Sequence, residues 1–331
     1  MPIRLCALLL LSWLAAGLQA ADAKPLTIAV IPKGTTHEFW KTIHAGAVKA
    51  QRELTAAGQP VKIIWKGPLK EDDRTAQIDV VQNFLAQGVS GIVLAPLDSK
   101  ALVAPVKDAM EAGIPTVIID SGLKYDQVTS FIATDNYAGG AKAAERMGEV
   151  LGGKGRVLVL RYMVGSASTE QREAGFLDTI AKKFPDIKIV SSDQYAGATR
   201  EQAQTAAQNL LAAMKDKIDA VFTSNESACA GMIQAIKSFN LDGKLKHIGF
   251  DASEPLIKAL KAGAVQGLVV QDPFKMGYLG VMTVVAKLQG KAVEAKVDTP
   301  VQLVTPENIG TPEIQALISP QLGDYIDDAG K

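Results

Sequence analysis

The chain has 331 residues, which at roughly 100 to 200 residues per domain corresponds to two domains, each with enough material for a hydrophobic core. Lys plus Arg total 35 and Asp plus Glu total 35, so no diffuse cationic field is available to neutralise a phosphate backbone, which excludes nucleic acid as a partner. Hydrophobic residues make up 47% and aromatics only 5%, a balance that suits buried parallel strands under Ala-rich helices and points to an α/β class.

The N-terminus reads as a targeting segment. Arg4 supplies a positive start, Leu5 to Gly17 is an apolar run too short to span a bilayer, and small residues follow at Ala20, Ala21 and Ala23. Residues 1–23 are therefore expected to be a cleaved signal peptide, placing the mature protein in the periplasm. Its removal takes away Cys6 and leaves Cys229 alone, so the mature chain is expected to lack an internal disulfide.

From Leu26 onward short β-branched runs alternate with longer helical patterns. Strands are expected at Leu26 to Pro32, Val61 to Trp65, Gly91 to Pro96, Thr116 to Asp120 and Phe131 to Thr134. Helices are expected at Glu38 to Ala57, Arg74 to Gln87 and Lys100 to Ala112, each closing on a glycine at 58, 88 or 113. A second series follows, with strands at Val157 to Arg161, Ile187 to Val190, Ala220 to Ser224, His247 to Asp251 and Leu268 to Gln271. Its helices lie around Tyr137 to Leu151, Thr169 to Phe184, Arg200 to Met214, Ser227 to Phe239 and Pro255 to Ala262. Two such series argue for two Rossmann-like, doubly wound parallel sheets with right-handed crossovers.

Open parallel sheets hold ligands beyond the carboxyl ends of their strands. The polar residues at those ends are Lys33, Asp120, Ser121, Asp135, Asn136, Asn225, Asp251 and Gln271. Any one of them could be an ordinary helix cap or turn former. Two carboxylates, two amides, a lysine and an arginine converging from two domains are what a cleft for a polyhydroxylated ligand requires.

Other chemistries lack their residues. His37, His44 and His247 are not spaced as metal ligands, so no metal is expected. Gly152-Gly153-Lys154-Gly155 precedes a strand instead of following one, the wrong order for a dinucleotide or phosphate loop. Gly165-Ser166-Ala167-Ser168 lacks the second glycine of a nucleophile elbow, and Ser168 or Thr169 is expected to cap the helix carrying Arg172. With no nucleophile beside an activating base, neither catalysis nor a cofactor is expected.

At Phe39-Trp40, Ile119-Asp120, Phe131-Ile132-Ala133-Thr134-Asp135-Asn136, Arg172-Glu173-x-Gly175-Phe176, Asn225-Glu226, Gly249-Phe250-Asp251 and Val270-Gln271 the sequence resembles the periplasmic sugar-binding proteins of ABC importers, notably the ribose-binding type. The resemblance runs over nearly the whole mature chain. It implies a type I periplasmic binding protein fold, two lobes joined by three crossing strands that close on a sugar by hinge motion. The lobes are then expected to be discontinuous, 24–134 plus 272–299 for the first and 135–271 plus 300–331 for the second.

Position by position, the resemblance puts Phe39 and Trp40 where the family stacks aromatic rings on the apolar faces of a sugar. Asp120 and Asp251 fall on its hydroxyl acceptors, Asn225 and Gln271 on its amides, and Arg172 on its second-lobe arginine. The chain departs from the ribose pattern where Asp120-Ser121 replaces Asp-Arg and where Pro32-Lys33 replaces a serine. Lys33 is therefore expected to enter the cleft in place of the cation missing at Ser121. The Ile-Pro-Lys ending also resembles autoinducer-2-binding relatives. Tyr195, in a loop longer than its counterpart, is expected to supply an aromatic lid. The implied function is capture of a small sugar or polyol by a monomer that delivers it to a membrane ABC permease. A sensor for a sugar or autoinducer-2-like ligand, presenting it to a chemoreceptor, and an exported sugar-modifying enzyme are the alternatives.

Overall fold

The computed structural model describes residues 24–326; the expected signal segment lies outside them. The first sheet is built from β1 (Leu26–Ile31), β2 (Val61–Trp65), β3 (Gly91–Leu94), β4 (Thr116–Ile119) and β5 (Ser130–Ala133), alternating with α1 (Glu38–Ala56), α2 (Arg74–Gln87) and α3 (Val103–Glu111). The second contains β6 (Gly155–Arg161), β7 (Ile187–Tyr195), β8 (Ala220–Thr223), β9 (Lys246–Phe250) and β10 (Gly267–Val270), with α4 (Asn136–Leu151), α5 (Ala167–Lys183), α6 (Arg200–Met214), α7 (Glu226–Ser238) and α8 (Glu254–Lys261). After them come α9 (Pro273–Leu288), β11 (Lys296–Asp298), β12 (Gln302–Val304) and α10 (Pro312–Ile318).

The two sheets have matching strand orders, β11-β5-β4-β3-β1-β2 and β12-β10-β9-β8-β6-β7. All described pairs are parallel except β10 with β12. The central strands are buried along their whole length, as expected of strands covered by helices on both faces. Helix ends follow local chemistry. Gly88 and Gly152 close α2 and α4 in the left-handed region, φ 64° and 61°, where a side chain would be strained.

The chain passes between the sheets three times. After β5 it enters α4, whose Ala143, Ala144 and Met147 pack with Val157, Phe222, Ile248 and Val269 of the second sheet. After β10 it returns through α9, whose Val281, Val284 and Val285 join Ile28, Val30 and Val93 in the core of the first. Between β11 and β12 it crosses again. The first and third crossings run side by side: the Thr134 and Thr299 hydroxyls are 3.3 Å apart, and the Thr299 amide donates to the Ala133 carbonyl at 3.1 Å.

Both returning helices lie very close to their neighbours. A Cβ added at Gly46 of α1 would stand 1.9 Å from the Phe274 carbonyl oxygen, and one at Gly277 of α9 would stand 2.0 Å from that of Ile43. The second lobe repeats the device. A Cβ at Gly140 of α4 would meet the Arg172 carbonyl at 2.0 Å, and one at Gly175 of α5 that of Tyr137 at 2.1 Å. Paired glycines thus set how closely α5, the helix carrying Arg172, lies against α4.

Candidate functional site

The carboxyl ends of both sheets face each other across a cleft, and the loops after β1, β4, β6, β8, β9 and β10 supply its walls. At its centre is a cavity of about 30 Å³ lined by Lys33, His37, Phe39, Trp40, Glu71, Asp120, Tyr162, Ser168, Thr169, Arg172, Asn225, Glu226, Asp251 and Gln271. On the first-lobe wall Lys33 Nζ lies 2.8 Å from Asp120 Oδ2. It also donates across the cleft to Ser168 Oγ at 3.1 Å and lies 5.9 Å from the centre of the Trp40 ring. Trp40 meets Phe39 edge to face, centroids 5.0 Å apart, and its indole N–H donates to Glu71 Oε1 at 2.9 Å.

On the second-lobe wall Arg172 is buried and fixed from several sides. Its Nε donates to Asn136 Oδ1 at 2.8 Å, one η nitrogen donates to the Ser224 carbonyl at 3.1 Å and stands 3.8 Å from Asp251 Oδ2, and the guanidinium lies 4.0 Å from the centre of the Phe250 ring. Gln271 donates to Asp251 Oδ1 at 2.6 Å, and the Glu226 amide donates to Asp251 Oδ2 at 3.1 Å. Burial pushes the Asp251 carboxyl above the usual carboxylate range despite the pull of Arg172, and burial lowers Arg172 despite the same partner. Each ion tolerates the dry site because the other is there. Glu173, raised by burial, accepts from the Tyr162 amide at 3.0 Å and the Ser224 hydroxyl at 2.9 Å.

The lobes touch directly. Tyr162 O–H donates to Glu71 Oε2 at 2.8 Å, the Ser168 amide donates to Ser121 Oγ at 3.1 Å, and at the rim the Ser99 amide donates to the Gly165 carbonyl at 2.9 Å. Arg74 binds Asp98 at 2.7 Å and donates to the Val164 carbonyl at 2.9 Å.

Eight of the ten expected site residues line the cavity: Lys33, Phe39, Trp40, Asp120, Arg172, Asn225, Asp251 and Gln271. Ser121 does not; it is wholly buried behind Asp120 and binds the Ser168 amide. Tyr195 does not reach the cavity. It ends the edge strand β7, paired with Arg161, and is 44% exposed. The helix carrying Arg172 begins earlier than expected, with Ser166 as its first flanking residue. Ser168 is therefore not the cap, and its hydroxyl faces Lys33. Asp135 and Asp272 cap α4 and α9, accepting from the amides of Ala138 and Lys275. Asn225 both caps α7, accepting from Ala228 at 3.2 Å, and lines the cavity.

Sequence reasoning did not select His37, Glu71, Tyr162, Ser168, Thr169 or Glu226 as site residues. Tyr162 directly follows β6, so the strand-end rule would have reached it. Glu71 sits in a loop of charged residues whose neighbours Asp72 and Asp73 are exposed, and its local sequence gives no sign that it turns inward.

Two parallel α/β lobes with the site between them define the type I periplasmic binding protein fold. Residues 28–292 match the periplasmic binding protein domain, and the chain belongs to that family. Among curated relatives, the ribose import binding protein of Haemophilus influenzae is 29% identical over 280 residues, covering 84% of this chain and 91% of its own. Among solved structures, a carbohydrate transporter solute-binding protein of Agrobacterium radiobacter in complex with D-arabinose is 38% identical with TM-score 0.85, covering 89% of this chain and 99% of its own. A solute-binding protein of an ABC transporter from Agrobacterium vitis with bound D-fucose is 36% identical with TM-score 0.83, covering 88% and 99%.

Proposed function

We propose that the chain is the periplasmic solute-binding component of an ABC importer and takes up a neutral monosaccharide or small polyol between its lobes. The observation that carries this reading is a pair of buried acceptor atoms, one from each lobe. Gln271 Oε1 has no hydrogen-bond donor among the described residues, Asp120 Oδ2 has only the Lys33 ammonium at 2.8 Å, and both residues line the cavity. A buried acceptor without a donor is costly, and sugar hydroxyls are donors that could serve both lobes at once. The Lys33 ammonium occupies one lone pair of that Asp120 oxygen, and the second can accept a sugar hydroxyl.

Charge favours a neutral ligand. Lys33 faces Asp120, Arg172 faces Asp251, His37 faces Glu71 and Arg200 pairs with Glu226. An anionic sugar would meet no unmatched cation in the cavity. Trp40 and Phe39 supply ring surface for the C–H face of a sugar. The named sugars of the relatives, ribose, D-arabinose and D-fucose, are all neutral monosaccharides.

In this reading the lobes are 24–134 plus 272–299 and 135–271 plus 300–326, hinged at the three crossings, and rotation about the Thr134 and Thr299 pair opens the cleft. Native mass spectrometry of protein purified from its own periplasm, followed by calorimetry with D-ribose, D-allose, D-arabinose, D-fucose and xylitol, tests the assignment. A co-purified neutral sugar, or saturable binding of one of the panel, is the expected result. A retained anion or amino acid with no sugar binding would refute it.

A further inference from the structure

Glu71 is the most heavily bonded side chain in the cavity that the sugar reading leaves without a task. Its residue is 7% exposed, and it accepts from three side chains: Trp40 Nε1 at 2.9 Å and His37 Nδ1 at 2.8 Å from its own lobe, and Tyr162 O–H at 2.8 Å from the other. Lys33, the other cation near Glu71, already faces Asp120 at 2.8 Å. Neutral hydrogen bonds from Trp40 and Tyr162 satisfy the carboxylate's lone pairs without balancing its charge. An imidazolium at position 37 balances it.

We propose that His37 is a proton-dependent positioning residue for cleft closure: its protonated ring holds Glu71 where Tyr162 of the second lobe can bind it and where the Trp40 ring is fixed, so that closing on ligand takes up a proton. This rests on the cleft being the ligand site. Closing removes Glu71 from water, so the closed form demands the counter-charge more than the open one.

The other charged groups around His37 act on it in both directions. Glu226 from the second lobe favours the charged ring, and Arg200, paired with Glu226, opposes it. Glu201, at the start of α6, is itself lowered in part by His37. Burial pulls the imidazole down, but Glu71 outweighs it and the ring is raised above its ordinary 6.5. Glu71 is correspondingly lowered, with burial opposed by the His37 and Trp40 bonds. A ring whose affinity for protons is raised in the closed form favours closure below its open-form pKa and ceases to do so as pH rises through the closed-form pKa.

The test has two arms. In the first, the imidazole of His37 is titrated by NMR in wild type, Glu71→Gln and Tyr162→Phe, each in buffer alone and saturated with the first sugar of the panel that binds. With sugar bound the expected result is a pKa above 6.5 in wild type, a fall in Glu71→Gln, and a further rise in Tyr162→Phe, because the carboxylate loses a competing donor from across the cleft; in buffer alone Tyr162→Phe should match wild type. A His37 unchanged by Tyr162→Phe in the sugar-bound protein overturns the interlobe coupling. In the second arm, the first sugar of the panel that binds is titrated calorimetrically from pH 6 to 8.5 in two buffers of different ionisation enthalpy. Affinity is expected to fall several-fold as pH rises, by roughly tenfold per unit of pKa difference between the open and closed forms, with net proton uptake on binding. In His37→Asn the profile should flatten. A flat wild-type profile without proton uptake overturns the proposal. If no sugar binds, the sugar reading fails by itself, and a His37 pKa in buffer alone that Glu71→Gln leaves unmoved overturns the pairing of His37 with Glu71 on which the proposal stands.

Discussion

Asp120 and Asp251 occupy the same place in the two lobes. Each is the first residue beyond equivalent strands, β4 and β9, and each has left-handed backbone, φ 63° and 70°. The amide of each donates to the neighbouring strand, Asp120 to Ile132 at 3.1 Å and Asp251 to Val269 at 2.8 Å. Asp tolerates this region better than most residues, and a side chain held there must be fixed by its surroundings. The backbone turn aims both carboxylates at the cavity.

This relationship separates two effects of substitution. Asp120→Gly keeps the backbone comfortable and removes the carboxylate. It should lose about 3 kcal/mol of stability, because the buried Lys33 ammonium loses its anion, and bind sugar about 10- to 100-fold more weakly, the loss expected for a charged hydrogen-bond partner worth about 1.5 to 3 kcal/mol. Asp120→Val should lose the same affinity and about 1 to 3 kcal/mol more stability than Asp120→Gly, because valine is strained at a φ of 63°. Thermal unfolding measured alongside calorimetry distinguishes them, and equal stability of the two variants would contradict the strain argument.

Removing Lys33 leaves a buried carboxylate without its cation. Lys33→Met should destabilise the protein or its closed form by about 3 kcal/mol, and adding Asp120→Asn should restore much of that stability without restoring affinity. Chemical denaturation of the single and double variants gives the coupling. Additive losses would mean that the 2.8 Å contact contributes nothing.

Gly140→Ala should cost about 3 kcal/mol, because its methyl would meet the Arg172 backbone at 2.0 Å and push α5 off α4. Ligand affinity should fall with it as Arg172 moves. Gly58→Ala makes a control: its φ of 83° strains a side chain but nothing lies within 4 Å, so a loss of about 1 kcal/mol with unchanged binding is expected. Equal losses in the two variants would remove the packing explanation.

His247 is buried, shares a 2.9 Å hydrogen bond with Thr223, and is pushed by burial down to about 3. A histidine lowered on folding takes protons more readily when unfolded, so stability is lost as pH falls below 6.5 and continues to fall toward about 3. Between pH 7 and pH 4.5 this group alone should remove about 3 kcal/mol. Urea unfolding of His247→Leu should show a smaller acid loss than wild type; parallel pH profiles would count against it.

The strand-end logic was legible because β-branched runs in this chain are short and end abruptly in polar residues. Asp120, Asp251 and Gln271 are each the first residue past a strand, and periodicity alone marks them. What escaped depends on contacts distant in sequence. Glu71 becomes a site residue only because Trp40, His37 and Tyr162 converge on it, and Tyr162 lies 91 positions away. The helix α9 went unread since its sequence is apolar nearly throughout and follows Asp272-Pro273, which resembles a strand end. Strands β11 and β12 have three residues each, too few for a period-two pattern. Tyr195 misled for the opposite reason: β7 runs nine residues, to Tyr195 itself, so the start of the expected loop is the end of an edge strand.

The return of α9 to the first sheet has a consequence for biogenesis. Val281, Val284 and Val285 belong to the same core as Ile28 and Val30, and β11 completes the sheet only at Asp298. A ribosome works from the N-terminus, at about 5 to 20 residues per second. The first lobe to be synthesised therefore lacks one of its covering helices and an edge strand until almost the entire polypeptide has been made. In the periplasmic role proposed above, such a delay suits a chain that must cross a membrane unfolded, because its leading half cannot consolidate before the trailing segment arrives.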